Sequence, residues 1–432
     1  MTNGWRASFA VYLDRRILTV LLLGFSSGLP LALTGATLAV WLTESGVDLK
    51  SIGLFALVGT PYIYKFAWAP LIDHVRLPVL TRLFGRRRGW MLATQGALVA
   101  ALLGLGSASP ATDTWTVAML ALVVAFCSAS QDIVIDAYRV EILEKEQYGA
   151  GAAAVQFGYR IAMLTSGAGA LFIAQFAESW FVTYACMAAL VGVGMVTVLL
   201  NHEPRAPLQL PKAPGVAGWT RHAVVDPFVD MARRQGWMIV AVLSFVLLYK
   251  LGDAFAGVMA NPFYIKMGFT KAEIASVSKL FGFGATIAGT FLGGVLVARY
   301  GIVKSLLACG VLQMLSNLMF AWQATVGHDL GALTLTITVE NLSGGMGSAA
   351  FVAYMSGLCS LTYTGTQYAL LSSLAAVGRT LVASSAGALA ESVGWFDFFV
   401  VSTLVAIPGI LLLAALRRKL VPAAEAVPAP AA

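Results

Sequence analysis

Residues 180–200 read WFVTYACMAALVGVGMVTVLL, without one charged side chain. A helix needs about 20 apolar residues to cross a bilayer, so this run is long enough to span one. The next stretch, 201–236, carries His202, Glu203, Arg205, Lys212, Arg221, Arg233 and Arg234 together with Pro204, Pro207, Pro211 and Pro214. An apolar run that stops at a basic, proline-rich segment reads as a membrane helix followed by an aqueous linker. Working outward from this junction, similar runs lie at 17–43, 51–73, 89–108, 115–140 and 149–177 before it, and at 237–264, 273–299, 304–326, 331–360, 364–390 and 395–416 after it. Numbered in chain order, these are spans 1 to 12. The expected fold is an all-α polytopic membrane protein with six-helix bundles at 1–200 and 237–417, a cytoplasmic linker at 201–236 and a tail at 418–432.

Composition agrees. Charged residues are 11% of the 432 and hydrophobic ones 59%, with mean hydropathy +0.80, against roughly 25% charged in soluble domains. This excludes a soluble enzyme or a nucleic-acid binder. The net charge of +7 is carried in short clusters between apolar runs, where topology explains it. Cys127, Cys186, Cys309 and Cys359 all fall inside apolar runs at irregular spacing, so neither a disulfide framework nor a metal site is expected. Residues 1–16 carry Arg6, Arg15 and Arg16 ahead of a run too long for a signal-peptide core, so span 1 should stay attached.

An even number of spans places both termini on one side. About 20 of the 28 basic residues fall on that side, and only Lys50, Lys266 and Lys271 on the other. By the positive-inside rule both ends are cytoplasmic. The halves also echo one another: the end of span 1, Trp41-Leu-Thr-Glu-Ser-Gly46, corresponds to Tyr264-Ile-Lys-Met-Gly268 at the end of span 7, and Gly158-Tyr-Arg160 to Gly378-Arg379. Two parallel six-helix repeats predict a carrier whose central site opens alternately to the two sides.

An ionisable group deep in a membrane costs several kcal/mol unless it is paired or faces water. Leaving aside the terminal positions of each span, there are nine: Lys65, Asp132, Asp136, Arg160, Lys250, Asp253, Lys279, Glu340 and Arg379. At 1.5 Å rise per residue, Arg160, Lys250, Glu340 and Arg379 all fall near the midplane. Asp132 and Asp136 are four apart on one helical face and read either as a proton-coupling pair or as partners for Arg160, which shares its own face with Gln156. Asp253 and Glu340 are the acids of the second half. Lys65, Gln156, Arg160, Lys250, Asn341 and Arg379 are candidate contacts for a substrate bearing carboxylates. Gly28 and Pro30 mark a hinge or a close approach in span 1, and Tyr64, with Tyr62 and Trp68, either stacks on a sugar face or packs in the core. No phosphate-binding loop and no His-Glu-x-x-His motif is present, so neither an ATP-driven pump nor a zinc hydrolase is expected, and no enzyme activity.

Several blocks carry a closer likeness. Asp73 followed by Gly85-Arg86-Arg87-Arg88 resembles, at a longer separation, the signature that locks the cytoplasmic gate of major facilitator carriers. Gly24-Phe-Ser-Ser-Gly-Leu-Pro30, Lys65-Phe-Ala-Trp-Ala-Pro-Leu-Ile-Asp73, Ser128-Ala-Ser-Gln-Asp132, Tyr249-Lys-Leu-Gly-Asp253, Glu340-Asn-Leu-Ser-Gly-Gly-Met-Gly347 and Val377-Gly-Arg379 resemble the AmpG-type muropeptide permeases. The resemblance implies proton-symport import of anhydromuropeptides across the bacterial inner membrane, for peptidoglycan recycling and beta-lactamase induction. It also implies importance for Gly28, Ala129, Gln131 and Asp132. No cofactor beyond the proton gradient is expected, and the protein is expected to be a monomer whose other partner is the lipid bilayer. Alternatives are a carrier of another solute, such as acyl-CoA or a siderophore, and a non-transporting sensor or scaffold.

Overall fold

The computed structural model describes residues 11–204, 221–274, 276–277, 281–383 and 386–417, and among these every regular element is helical. Nine helices are long and apolar enough to cross a membrane, among them Arg15–Glu44, Thr114–Ile142, Trp180–Leu200, Ile302–Val326 and Trp395–Ala415. The runs expected to be spans 2, 10 and 11 are helical as well. Span 10 is Leu330–Leu358, diluted by Thr, Ser and Gly, and span 11 comprises Thr364–Ala383 and Ala386–Val393. Span 2 is a chain of short helical pieces between Leu49 and His74, with Pro61 and Pro70 near the starts of two of them.

The duplication seen in the sequence recurs in the backbone. Asp113 accepts a hydrogen bond from the Thr116 amide at the start of span 4, and Asp329 accepts one from Ala332 at the start of span 10, each capping a helix of 29 residues. Gly85 (φ +91°) precedes span 3 as Gly301 (φ +80°) precedes span 9, and Gly46 and Gly268 both take positive φ. The matching turn before span 12 uses Gly394, whereas before span 6 it is Glu178 that takes φ 49°.

Glycines set the tightest helix contacts. A Cβ on Gly158 would lie 2.0 Å from the Leu21 carbonyl oxygen, and one on Gly24 would lie 2.3 Å from that of Val155, so spans 1 and 5 meet backbone to backbone. Spans 8 and 10 repeat the arrangement: Gly289 would meet the Leu342 carbonyl at 2.0 Å, and Gly345 that of Thr286 at 2.4 Å. Gly28 belongs to the same seam, its Cβ position 2.5 Å from the Tyr159 carbonyl oxygen, so its place is one of packing.

The apolar core has an asymmetric distribution. At the face where the basic loops emerge, hereafter the basic face, apolar clusters join the halves: Ile17, Val20 and Tyr148 pack together with Phe245, Val297 and Tyr354, and Ile72, Met91 and Tyr138 with Ala369. Toward the opposite face the core divides. Leu33, Trp41, Leu102 and Tyr184 form one cluster, and Phe263, Phe320, Leu333 and Phe399 another. The halves therefore meet at the basic face and part toward the other. The segment expected to be a linker contributes to the joined end through its helix Asp226–Gln235: Arg234 donates to the Leu358 carbonyl at 3.0 Å and to the Gln367 side chain at 2.9 Å.

Two substitutions test this description. Gly158→Val should lower stability by about 1–3 kcal/mol, because backbone atoms cannot yield to the added side chain. Glu178→Gly should raise it by about 1 kcal/mol by relieving a left-handed conformation. Both are read by thermal unfolding of the purified protein in detergent.

Candidate functional site

The first charged group forms where span 4 faces spans 1 and 2. The Ser27 hydroxyl donates to Asp132 at 2.6 Å. One turn further, Asp136 lies 3.8 Å from Lys65 and 3.3 Å from Arg139. Lys65 is also within electrostatic reach of Asp132, so one ammonium serves two carboxylates. The expected partner of these acids, Arg160, pairs with neither within 4.0 Å. Span 5 instead turns Arg160 into open space, where it is exposed and within electrostatic reach of Glu340 in the other half. A guanidinium about 18 Å along its helix, exposed yet close to an acid of the opposite bundle, lines the gap between the halves.

The second group is built on a break in span 7. Helix Ile239–Leu248 stops, Tyr249 and Lys250 form a turn, and Leu251–Lys266 resumes the path. The break frees Lys250 to donate to Asp253 at 3.3 Å, Gln313 at 3.3 Å and Ser348 at 2.9 Å. Glu340 accepts from the Asn341 amide at 2.8 Å, and Asn341 accepts from Thr286 at 2.8 Å. Span 5 is also irregular, with a wide helical turn at Thr165–Gly169. Broken or bulged helices around polar groups at mid-depth are a recurrent construction for solute sites in carriers.

Other expected contacts are placed differently. Ala129 and Gln131 are completely buried, and the Gln131 amide has no hydrogen-bond partner among the described residues. Gln156 is half-buried with an unpartnered amide nitrogen. Tyr64 is exposed and its ring stands 6.5 Å from Phe66. Lys279 and the side chain of Arg379 lie outside the described residues.

The residues expected to form a gate assemble at the basic face into a buried network. Arg87 donates to Asp73 at 2.7 Å and to Glu141 at 2.6 Å, with all three side chains almost fully buried. Arg86 donates to the Asp73 carbonyl at 2.7 Å. Glu203 accepts from the amides of Arg87 and Arg88 and so caps span 3. Gly85 is required twice, by its φ and because a Cβ there would lie 2.4 Å from the Glu203 carboxyl carbon. The long separation between Asp73 and Gly85 is taken up by the short helix Leu80–Phe84. The second oxygen of Asp73 crosses to the other half, accepting from the Thr366 amide at 2.6 Å and hydroxyl at 2.7 Å at the start of span 11. A Cβ on Gly365 would lie 2.7 Å from Asp73.

Sequence reasoning passed over Arg139, Glu141, Ser27 and Thr366. Arg139 is fully buried, donates to Ser356 of the other half at 3.0 Å and lies over the Tyr368 ring at 5.1 Å. Its spacing of three from Asp136 was the available signal, but its location at the end of an apolar run made it look like an interfacial charge.

With this geometry in hand, comparison with known proteins is informative. A family model described as the Major Facilitator Superfamily matches residues 20–252. The Anhydromuropeptide permease of Escherichia coli (strain K12) is 43% identical over 412 residues, covering 95% of this chain and 81% of the relative. The chain belongs to the major facilitator superfamily, among the AmpG-type permeases. A relative named Putative transporter AmpG 4, from Rickettsia felis, is 35% identical over 95% of this chain and 98% of its own length. The fold likewise matches solved carriers at 15% identity: a bacterial homologue of the iron transporter ferroportin in an outward-facing state (TM-score 0.68, 94% of this chain and 100% of that one) and the human organic anion transporter MFSD10 (TM-score 0.63, 94% and 99%). Membership makes the protein a multi-pass membrane transporter. Such proteins move solutes rather than transform them.

Arg87→Met in this permease should cost about 3–5 kcal/mol, because it strands two buried carboxylates. Arg88→Ala, which loses hydrogen bonds to main-chain carbonyls and a contact with the Phe84 ring but strands no buried charge, should cost about 1 kcal/mol. Thermal unfolding of the two variants side by side distinguishes them.

Proposed function

We propose that the protein imports anhydromuropeptides from periplasm to cytoplasm across the bacterial inner membrane by proton symport, supplying peptidoglycan recycling and, where one is regulated, beta-lactamase induction. The observation that carries this reading is the 43% identity over 95% of the chain to a permease named for that substrate. The chemistry of the gap supports it. A disaccharide peptide presents hydroxyls and carboxylates, and Arg160, Lys250, Gln156 and Asn341 offer matching donors. The basic face is the cytoplasmic one on the positive-inside rule, and the six-helix bundles are 1–200 and 237–417. The protein acts as a monomer with no cofactor beyond the proton gradient.

In this reading the observed state is closed to the cytoplasm and open to the periplasm. Asp136 is the connection between coupling and closure, because it holds both Lys65, shared with Asp132, and Arg139, which grips Ser356 across the interface. Loading a proton on this pair of acids removes the anion that positions Arg139, and the closed end loosens. Asp253 and Glu340 set the charge around Lys250 in the same way in the other half.

The test is uptake of labelled GlcNAc-anhydroMurNAc-peptide into proteoliposomes. An inward proton gradient should accelerate uptake at least tenfold, and a protonophore should abolish the gain. Asp132→Asn should bind substrate but lose the response to the gradient, whereas Lys250→Gln should weaken binding. No uptake under either condition would refute the substrate, and full gradient-driven uptake by Asp132→Asn would move coupling to another acid.

A further inference from the structure

Away from the central gap, a groove of about 1050 Å³ lies at the basic face, where span 9 begins and span 12 ends. Its wall is apolar, formed by Leu307, Ala308, Val311 and Leu312, and its outer end carries Lys304 and Arg417 with no carboxylate in the lining. Elsewhere on this face Arg16, Arg87 and Arg234 pair with acids. Lys304 and Arg417 make no ion pair among the described residues.

The internal repeat shows what this end of the groove lacks. Span 3 begins after Gly85, and its first amides are capped by the Glu203 carboxylate, which follows span 6. Span 9 begins after Gly301 with the same backbone turn, Gly301, Ile302 and Val303 line the groove, and among the described residues no carboxylate lines it where Glu203 stands in the first half. In the sequence, span 12, the counterpart of span 6, is followed by Arg417, Arg418 and Lys419, whereas span 6 is followed within three residues by Glu203. The second half therefore presents a helix start and two cations where the first half supplies its own anion, beside an apolar track from Leu307 to Leu312.

We infer that this groove binds an anionic phospholipid, its phosphate at the start of span 9 between Lys304 and Arg417 and an acyl chain along Leu307 to Leu312. A soluble phosphate would satisfy the cations but leave the apolar wall bare. A zwitterionic lipid would cover the wall but bring an ammonium group toward two cations.

Native mass spectrometry of the full chain in detergent tests this, with phosphatidylglycerol and phosphatidylethanolamine of identical acyl chains as probes. The wild type should bind phosphatidylglycerol at least tenfold more tightly. The Lys304→Gln, Arg417→Gln double variant should lose that preference while still binding both lipids weakly, and Lys304→Arg, Arg417→Lys should restore it. Ala308→Trp, which fills the track, should reduce binding of both lipids at unchanged thermal stability. Equal affinity for the two lipids, or a preference untouched by the double Gln variant, would overturn the inference. So would glycerol phosphate competing as well as the lipid, or dimers dissociated by Ala308→Trp. Phosphatidylglycerol binding that emerges only after deletion of 420–432 would assign the groove to the chain's own tail and likewise overturn it.

Discussion

The Asp73 carboxylate is the point on which the two halves of this molecule depend. One oxygen holds Arg87, which in turn holds Glu141, and the other accepts two hydrogen bonds from Thr366 at the start of span 11. An anion buried at this depth is tolerated only while all of its lone pairs are used, so its bonds either persist together or are exchanged for water together. That all-or-none character suits a gate, since a half-open arrangement would leave buried charge without a partner.

Around this point the polar and apolar parts of the structure are complementary. The shared core at the basic face and the divided cores beyond it describe the same wedge that the charges line: paired and buried at Asp73 and Arg139, half-buried at Asp132 and Lys250, exposed at Arg160. The glycine seams between spans 1 and 5 and between spans 8 and 10 hold helices of each half in direct backbone contact.

Legibility of the sequence divided along physical lines. Helical spans, their duplication and the basic side of the membrane follow from run length and charge asymmetry, which are local or additive properties. The buried network at the basic face was visible as Asp73 and Gly85 to Arg88, yet half of it was not, because Glu141, Thr366 and Glu203 are polar residues at span ends whose types are ordinary there. The expected pairing of Asp132 or Asp136 with Arg160 rested on their common half, whereas the packing gives Asp136 to Lys65 and Arg139 and sends Arg160 toward Glu340. Gly28, marked by resemblance, proved to be a contact with the Tyr159 backbone.

By itself, then, the sequence determined that the chain is a duplicated bundle of membrane helices with nine ionisable groups to accommodate, because hydrocarbon imposes one simple demand on every residue. Only the tertiary structure decided which of those groups share partners, at which face the halves meet and where, among the described residues, a groove carries cations without a carboxylate. Those outcomes depend on distances between residues far apart in the chain, set by which glycines let two backbones touch and by which helix ends meet across the interface.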